Sequence, residues 1–391
     1  MNTIRYSILQ TGSYFGISAI MGFTSFYLLS YGCSNSTIGI LLAVAGLVSA
    51  LLQVKGGALI DRSRRIDLRQ FLLLLSALLA IGAILLLTGI SNTVAVSLIF
   101  LFLMILIYSF TPFVNALAMY FTNRGYRINF GLARGLGSLA YALAAVIIGY
   151  FADDRWIGPS FVPITVIFSC GIMILVLLSL RMGRPAFQQP AGLAEENPSI
   201  SEFIRKYPRF VLLIIGITLL FITHNLLGSY AIQIITPLEG GSTATGIIAG
   251  ISAASEVPVM CLFSFLLKRH SPGSLIRFSA VFFTLRAILL TLAFCLGSLP
   301  LYYVLCASQM FGYAIFIPAS VYYANEVIGE AYLTLGQSFM AITNTIGIVI
   351  SGLAGGLLLD LTGVLPTLIT GIVISLAGTV SVLLLVQRKK K

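Results

Sequence analysis

Long apolar runs alternate with short polar breaks from one end of the chain to the other. Runs of about 20 apolar residues suit helices that cross roughly 30 Å of hydrocarbon. The strands of a membrane barrel would instead be about 10 residues long and alternate in polarity. The pattern predicts twelve helical spans, at 6–31, 37–57, 69–90, 95–121, 128–152, 159–181, 208–237, 244–267, 273–297, 299–326, 333–358 and 364–387. One longer polar stretch, 182–207, carries Pro185, Pro190 and Pro198 and reads as a linker. It divides the chain into 1–181 and 208–391, six spans each. A weak internal echo fits a repeat, since GGALIDRSRR follows the second span and FSFLLKRHSPG follows the eighth. The expected fold class is therefore an all-α membrane protein of two pseudo-symmetric six-helix bundles.

Composition agrees with this pattern. The chain is 58% hydrophobic and only 9% charged, against about 25% charged in a soluble domain. The net charge of +11 raises the question of nucleic acid. Its placement answers otherwise. Arg62, Arg64, Arg65 and Arg69, then Arg124 and Arg127, then Arg181 to Arg209, Lys268, Arg269 and the basic tail fall in alternate loops, and the opposite loops hold only Arg155. That is the positive-inside pattern, and it predicts both termini in the cytoplasm. The expected setting is a bacterial cytoplasmic membrane, with the lipid bilayer, a small-molecule substrate and protons as partners and no nucleic acid. A monomer is expected. The apolar run after Arg5 reads as the first span rather than as a cleaved leader. Cys33, Cys170, Cys261, Cys295 and Cys306 are scattered and without a CxxC, so they are expected as buried thiols rather than a disulfide frame or metal site. No cofactor is expected.

Ionisable groups inside the spans carry the candidate chemistry. Glu256 lies within GISAASEVPVM in the eighth span, and Arg286 within FFTLRAILL in the ninth. A charge near the bilayer centre costs about 2.5–3.5 kcal/mol or more unless it is paired or hydrated. The two residues stand roughly 18 and 21 Å along consecutive spans that run in opposite directions, at about 1.5 Å per residue. Both reach the middle, where an acid can take up and release a proton. Arg134 in the fifth span offers a forked donor for a hydroxylated or anionic solute. Tyr141, seven residues on, falls on nearly the same face, where its ring can stack on a sugar. Asn115, His224, Asn225, Gln309 and Asn344 are further polar members of spans, either substrate contacts or helix-to-helix hydrogen bonds. No nucleophile–base pair or phosphate-cradling loop suggests an enzyme.

The stretch GALIDRSRR at 57–65 resembles the cytoplasmic loop signature of the major facilitator superfamily. The resemblance implies a gate, with Gly57 allowing close helix approach and Asp61, Arg62 and Arg65 making contacts that change between states. The segments 21–53, 129–145 and 353–363 are similar to the lactose permease branch of oligosaccharide:proton symporters and its phenylpropionate-type relatives. That likeness implies sugar binding at Arg134, stacking at Tyr141 and proton coupling at Arg286; Glu256, the expected proton carrier, lies about one helical turn from the branch's essential glutamate, in a Glu-x-Pro setting more like the phenylpropionate-type relatives. The likeness also puts Gln309 where the family has a histidine of its proton site. Several acids and a lysine of the branch are missing, with Ala116, Asn225, Gly228, Gly312 and Thr343 in their places. Lactose itself is therefore a poor expectation. The expected function is proton-coupled symport, by alternating access, of a small polar organic solute such as an oligosaccharide or glycoside. The alternatives are a nucleoside or aromatic-acid symporter, a proton antiporter, and a sensor or lipid flippase on the same frame.

Overall fold

The computed structural model describes residues 3–62, 67–122, 124–126, 128–154, 157–180, 200–329 and 332–386. Arg65 lies outside these residues, as do the side chains of Asp61 and Arg62. Helices follow one another as α1 (Thr3–Ser30), α2 (Asn35–Arg62), α3 (Leu68–Leu86), α4 (Thr93–Thr122), α5 (Phe130–Ala152), α6 (Phe161–Ser179), α7 (Ile200–Lys206), α8 (Pro208–Ser229), α9 (Ala231–Ile235), α10 (Ser242–Arg269), α11 (Pro272–Cys295), α12 (Leu299–Cys306), α13 (Tyr313–Val327), α14 (Leu333–Thr362) and α15 (Val364–Leu385). Among the described residues twelve helices are long and apolar enough to cross a membrane. The tenth, Leu299–Val327, is α12 and α13 joined through a 3-10 turn at Ala307–Met310.

Chain contacts divide the protein into two units. The first comprises Met1–Pro190 with Gly240–Ala254, and the second Ala191–Glu239 with Ser255–Lys391. In the first, α1 packs against α5 and α6, α3 against α6, and α2 against α4. In the second, α8 packs against α14 and α15, and α11 against α15. The first helix of each set of six thus meets its fifth and sixth, as the repeat in the sequence suggests.

Small residues bring these helices together, because packing inside a bilayer relies on close backbone approach and interhelical hydrogen bonds. Ser169 donates to the carbonyl of Gly12 at 2.7 Å. Where α8 crosses α15, a Cβ on Gly378 would come within 2.8 Å of the Gly216 carbonyl oxygen. Thr284, Ser375 and Thr379 join hydroxyls at 2.8 Å between α11 and α15. Around Gly57, an added Cβ would meet nothing within 4 Å among the described residues. The close approach falls one residue earlier, at Gly56, where a Cβ would meet the Phe71 and Phe113 rings at 2.9 and 3.0 Å. One residue is about 100° of helix, enough to change the face presented.

Other departures are local. The seventh span ends at Ser229, and α9 and a 3-10 turn at Thr236–Leu238 follow in place of a continuous helix to 237. The linker is not wholly irregular, since α7 forms at its end. Phe203 of α7 is fully buried, stacks on Phe339 with centroids 5.2 Å apart, and joins the core of the second unit. Glu202 accepts a hydrogen bond from the Tyr332 hydroxyl, and the Lys206 ammonium lies 4.5 Å from the centre of the same ring. Cys261 and Cys295 are exposed rather than buried, on helix faces turned away from the packed interior. α4 and α10 run without a break through Pro112 and Pro258.

Candidate functional site

Each unit holds its own polar cluster on membrane-spanning helices. In the first unit, α5 presents Arg134, Gly137 and Tyr141 towards α1, at helical spacings of three and four. The Arg134 guanidinium carbon lies 4.7 Å from the centre of the Tyr14 ring, a cation–π contact. Gly137 lets that ring approach, since a Cβ there would meet Tyr14 Cδ2 at 2.8 Å. Further along α1, the Ser18 hydroxyl donates to the Tyr141 carbonyl at 3.2 Å. The Tyr141 hydroxyl lies over Gly22, 3.3 Å from where a Cβ would sit. Arg134 and Tyr141 therefore share one face, as their spacing predicted.

Asn115 enters the same cluster from α4. Its Oδ1 accepts from the Gln10 amide at 3.3 Å and from the Tyr6 hydroxyl at 3.4 Å, and Gln10 donates to Tyr6 at 2.6 Å. The Arg134 charge is felt at Tyr6, which is hydrogen-bonded to Asn115. The Arg134 Nη1 is sealed from solvent without a hydrogen-bond acceptor. A buried guanidinium N–H without an acceptor is costly, and the Tyr14 ring face is the contact that attends this cation. Sequence reasoning missed Tyr6, Gln10 and Tyr14. Their spacing of four along the first span, in an otherwise apolar run, is the signal that could have found them.

The second unit gathers the remaining candidates. Glu256 is 8% exposed, and Gln309 donates its amide N–H to Oε1 at 2.5 Å. Gln309 reaches it because the tenth span gives up its α-helical path at Ala307–Met310. Asn225 donates to Asn344 Oδ1 at 3.1 Å and to its own helix at the Phe221 carbonyl. His224 stacks flat on Tyr313, with ring centres 4.8 Å apart and planes 2° from parallel. Its edge meets Phe221 and Phe283. Arg286 is 7% exposed, and its Nε is sealed without an acceptor. Its charge acts on His224 and Tyr302. Tyr302 and Tyr313 are the members of this cluster that the sequence did not single out.

Twelve apolar crossings and a buried polar cluster in each unit define a polytopic membrane transporter. The chain belongs to the MFS_1 like family of the major facilitator superfamily, whose family model matches residues 5–369. Members of that superfamily are transporters, not enzymes. The chain is 25% identical over 265 residues to the maltose permease of Geobacillus stearothermophilus. That match covers 67% of this chain and 64% of the permease, so it spans just under two thirds of the relative's length. Among solved structures, the nucleoside transporter NupG superposes with a TM-score of 0.79 at 16% identity, over the whole of both chains. A D-xylose-proton symporter superposes at 0.73 and 12% identity, covering 98% of this chain and 96% of that one. At these identities the structures speak for the fold alone.

Proposed function

We propose that this protein is a proton-coupled symporter of a small polar organic solute, an oligosaccharide or glycoside, working by alternating access. The observation that carries the reading is the buried pair of Glu256 and Gln309 in the second unit. A carboxyl with so little exposure is costly to keep in a membrane unless it does something there. Gln309 suits both of its protonation states. The amide N–H donates to a carboxylate, and after a flip the amide oxygen accepts from a carboxylic acid. Gln309 does not itself titrate, so the proton belongs to Glu256. Arg286, on the following span, is the cationic member of the coupling pair.

The solute side of the reading rests on Arg134, Tyr141 and Asn115 in the first unit and on His224, Asn225 and Asn344 in the second. Paired amides, an arginine fork and half-buried aromatic faces suit a ring bearing hydroxyls. The maltose permease relative agrees with a sugar. A nucleoside is the second candidate, favoured by the flat stacked face of Tyr313 and His224. Asp61, Arg62 and Arg65, with Gly57 beside them, are proposed as gating residues on the strength of their sequence pattern.

The test is uptake by the full chain in proteoliposomes with an alkaline interior. Maltose, other disaccharides, phenyl glycosides and nucleosides form the panel. One solute should accumulate above its equilibrium level, and a protonophore should collapse that accumulation. Downhill flux indifferent to the pH gradient for every transported member would remove the proton from the reading.

A further inference from the structure

Among the described residues of the second unit, Arg286 and Glu256 are the charged side chains buried to more than nine-tenths, and their surroundings differ. Glu256 has the Gln309 amide to receive it. Arg286 is more than nine-tenths buried, yet among the described residues no hydrogen bond to it is found, and its Nε is sealed off. Its charge is felt at the imidazole of His224 and the ring of Tyr302. Arg277 on the same helix also has a sealed Nε, but it differs in donating through its fork to the Val386 carbonyl at 2.5 Å, where α15 ends. There the negative pole of a helix provides for the cation. Nothing equivalent attends Arg286, and an arginine stays protonated wherever it is placed.

We propose that the cargo carries a single carboxylate, that of an acidic sugar or its glycoside, and that Arg286 is the residue that receives it. This rests on the symport reading above. A carboxylate supplies the in-plane acceptors that the guanidinium fork lacks. His224, which feels the Arg286 charge, and Tyr313, stacked on it, are half-buried and able to meet the ring that bears the acid.

Charge accounting favours the same cargo. With Glu256 ionised and Arg286 protonated, these two buried groups sum to zero. A proton on Glu256 with a neutral cargo raises the sum to one positive charge. A proton with a monoanion returns it to zero, so the empty and the loaded forms are both uncharged there. Moving an uncompensated charge through a low-dielectric region is what makes a transition expensive. One proton and one carboxylate travel inwards together, no bond is made or broken other than the proton's, and the cycle moves no net charge.

Matched probes test this on the full chain in proteoliposomes: phenyl β-glucoside against phenyl β-glucuronide, and phenyl β-galactoside against phenyl β-galacturonide. The acidic member of the transported pair should bind more tightly by about 10- to 100-fold, the range of a charge-assisted hydrogen bond. Its proton-driven uptake should ignore a potassium diffusion potential. In Arg286→Gln the ratio of acidic to neutral affinity should collapse towards one. If that variant fails to fold, Arg286→Lys, which keeps the charge and loses the fork, should reduce the ratio by at least about tenfold. A neutral member bound as tightly as its acid, or acid uptake driven by an inside-negative potential, overturns the proposal and leaves proton symport standing. Absence of pH-driven accumulation for every probe and for the neutral panel overturns the symport reading, and this proposal with it.

Discussion

At the scale of single residues, the buried polar groups are the ones whose loss should separate the steps of transport. Glu256→Gln mimics the protonated acid and keeps nearly the same shape, and Gln309 can flip to serve it. The variant should lose proton-driven accumulation while retaining exchange of labelled solute across the membrane. Counterflow and pH-driven uptake, measured on the same proteoliposomes, distinguish this from a purely structural role, in which both would fail together. For Arg134, the fork matters and not the charge alone. Arg134→Lys leaves a cation near Tyr14 but cannot give two parallel N–H donors. Calorimetry on the folded variant should find solute affinity lower by about tenfold or more. Near-native affinity would make Arg134 a packing residue. These residues were legible in the sequence because a charge inside an apolar run is conspicuous. Tyr6, Gln10 and Tyr302 were not, since tyrosine and glutamine carry no charge and are common in membrane helices for packing.

At the scale of elements, helix starts and ends followed the apolar runs closely, whereas kinks and caps did not. The break at Ala307–Met310 in the tenth span has no proline or charge to announce it. α7 was hidden by the prolines that precede it, and its order comes from tertiary packing on Phe339 and Tyr332. Phe203→Ala should cost about 3–5 kcal/mol of stability, as for other fully buried aromatics, read as a lower unfolding midpoint in detergent. The start of α10 offers a second case, within the first unit. The Asp153 carboxylate, just past α5, accepts from the Ser242 amide at 3.1 Å, the Thr243 amide at 2.9 Å and the Ser242 hydroxyl. It caps another helix as an N-cap residue caps its own. Burial alone pushes this carboxyl up, but the bonds from Ser242 and Thr243 outweigh it and hold it below its ordinary value near 3.8. With the folded value depressed, its contribution is complete above the ordinary value and is lost only as pH falls through the lowered one. Amide exchange at 242–246 should thus change little, apart from intrinsic chemistry, between about pH 5 and 8. Asp153→Asn should raise that exchange throughout the window. Unchanged protection would show that Gly149 and Gly246, packed backbone to backbone, hold the junction unaided.

At the scale of the whole molecule, twelve spans and a repeat of six were readable because the bilayer imposes length and polarity on every crossing. The division into packed units was less so. The sequence gives no sign that Gly240–Ala254 groups with the first unit while the rest of α10 belongs to the second. That division falls just before Glu256. The backbone gives a reason, for Gly246 admits the Ala145 carbonyl and Gly250 admits the Val146 side chain and the Ala142 carbonyl of α5.

A protein that works by alternating access needs contacts that exist in one state and not in the other, and the loop after α2 is the proposed place for them. Asp61 stands near the end of α2, followed by basic residues, in the pattern GALIDRSRR. A carboxylate so placed can hold a cation or a helix N-terminus in one state and release it in the next. Asp61→Asn removes that state-dependent attraction and changes no residue of either buried cluster. A solute senses only its differential affinity for the two states, so an unchanged cluster keeps its intrinsic affinity. The expected outcome is slower exchange and slower net uptake, with equilibrium solute affinity altered by less than about threefold, the size of a small population shift. Stopped-flow uptake beside calorimetry on one preparation makes the comparison. If affinity collapses while the rates of interconversion stay as they were, Asp61 belongs to binding and the gate lies elsewhere.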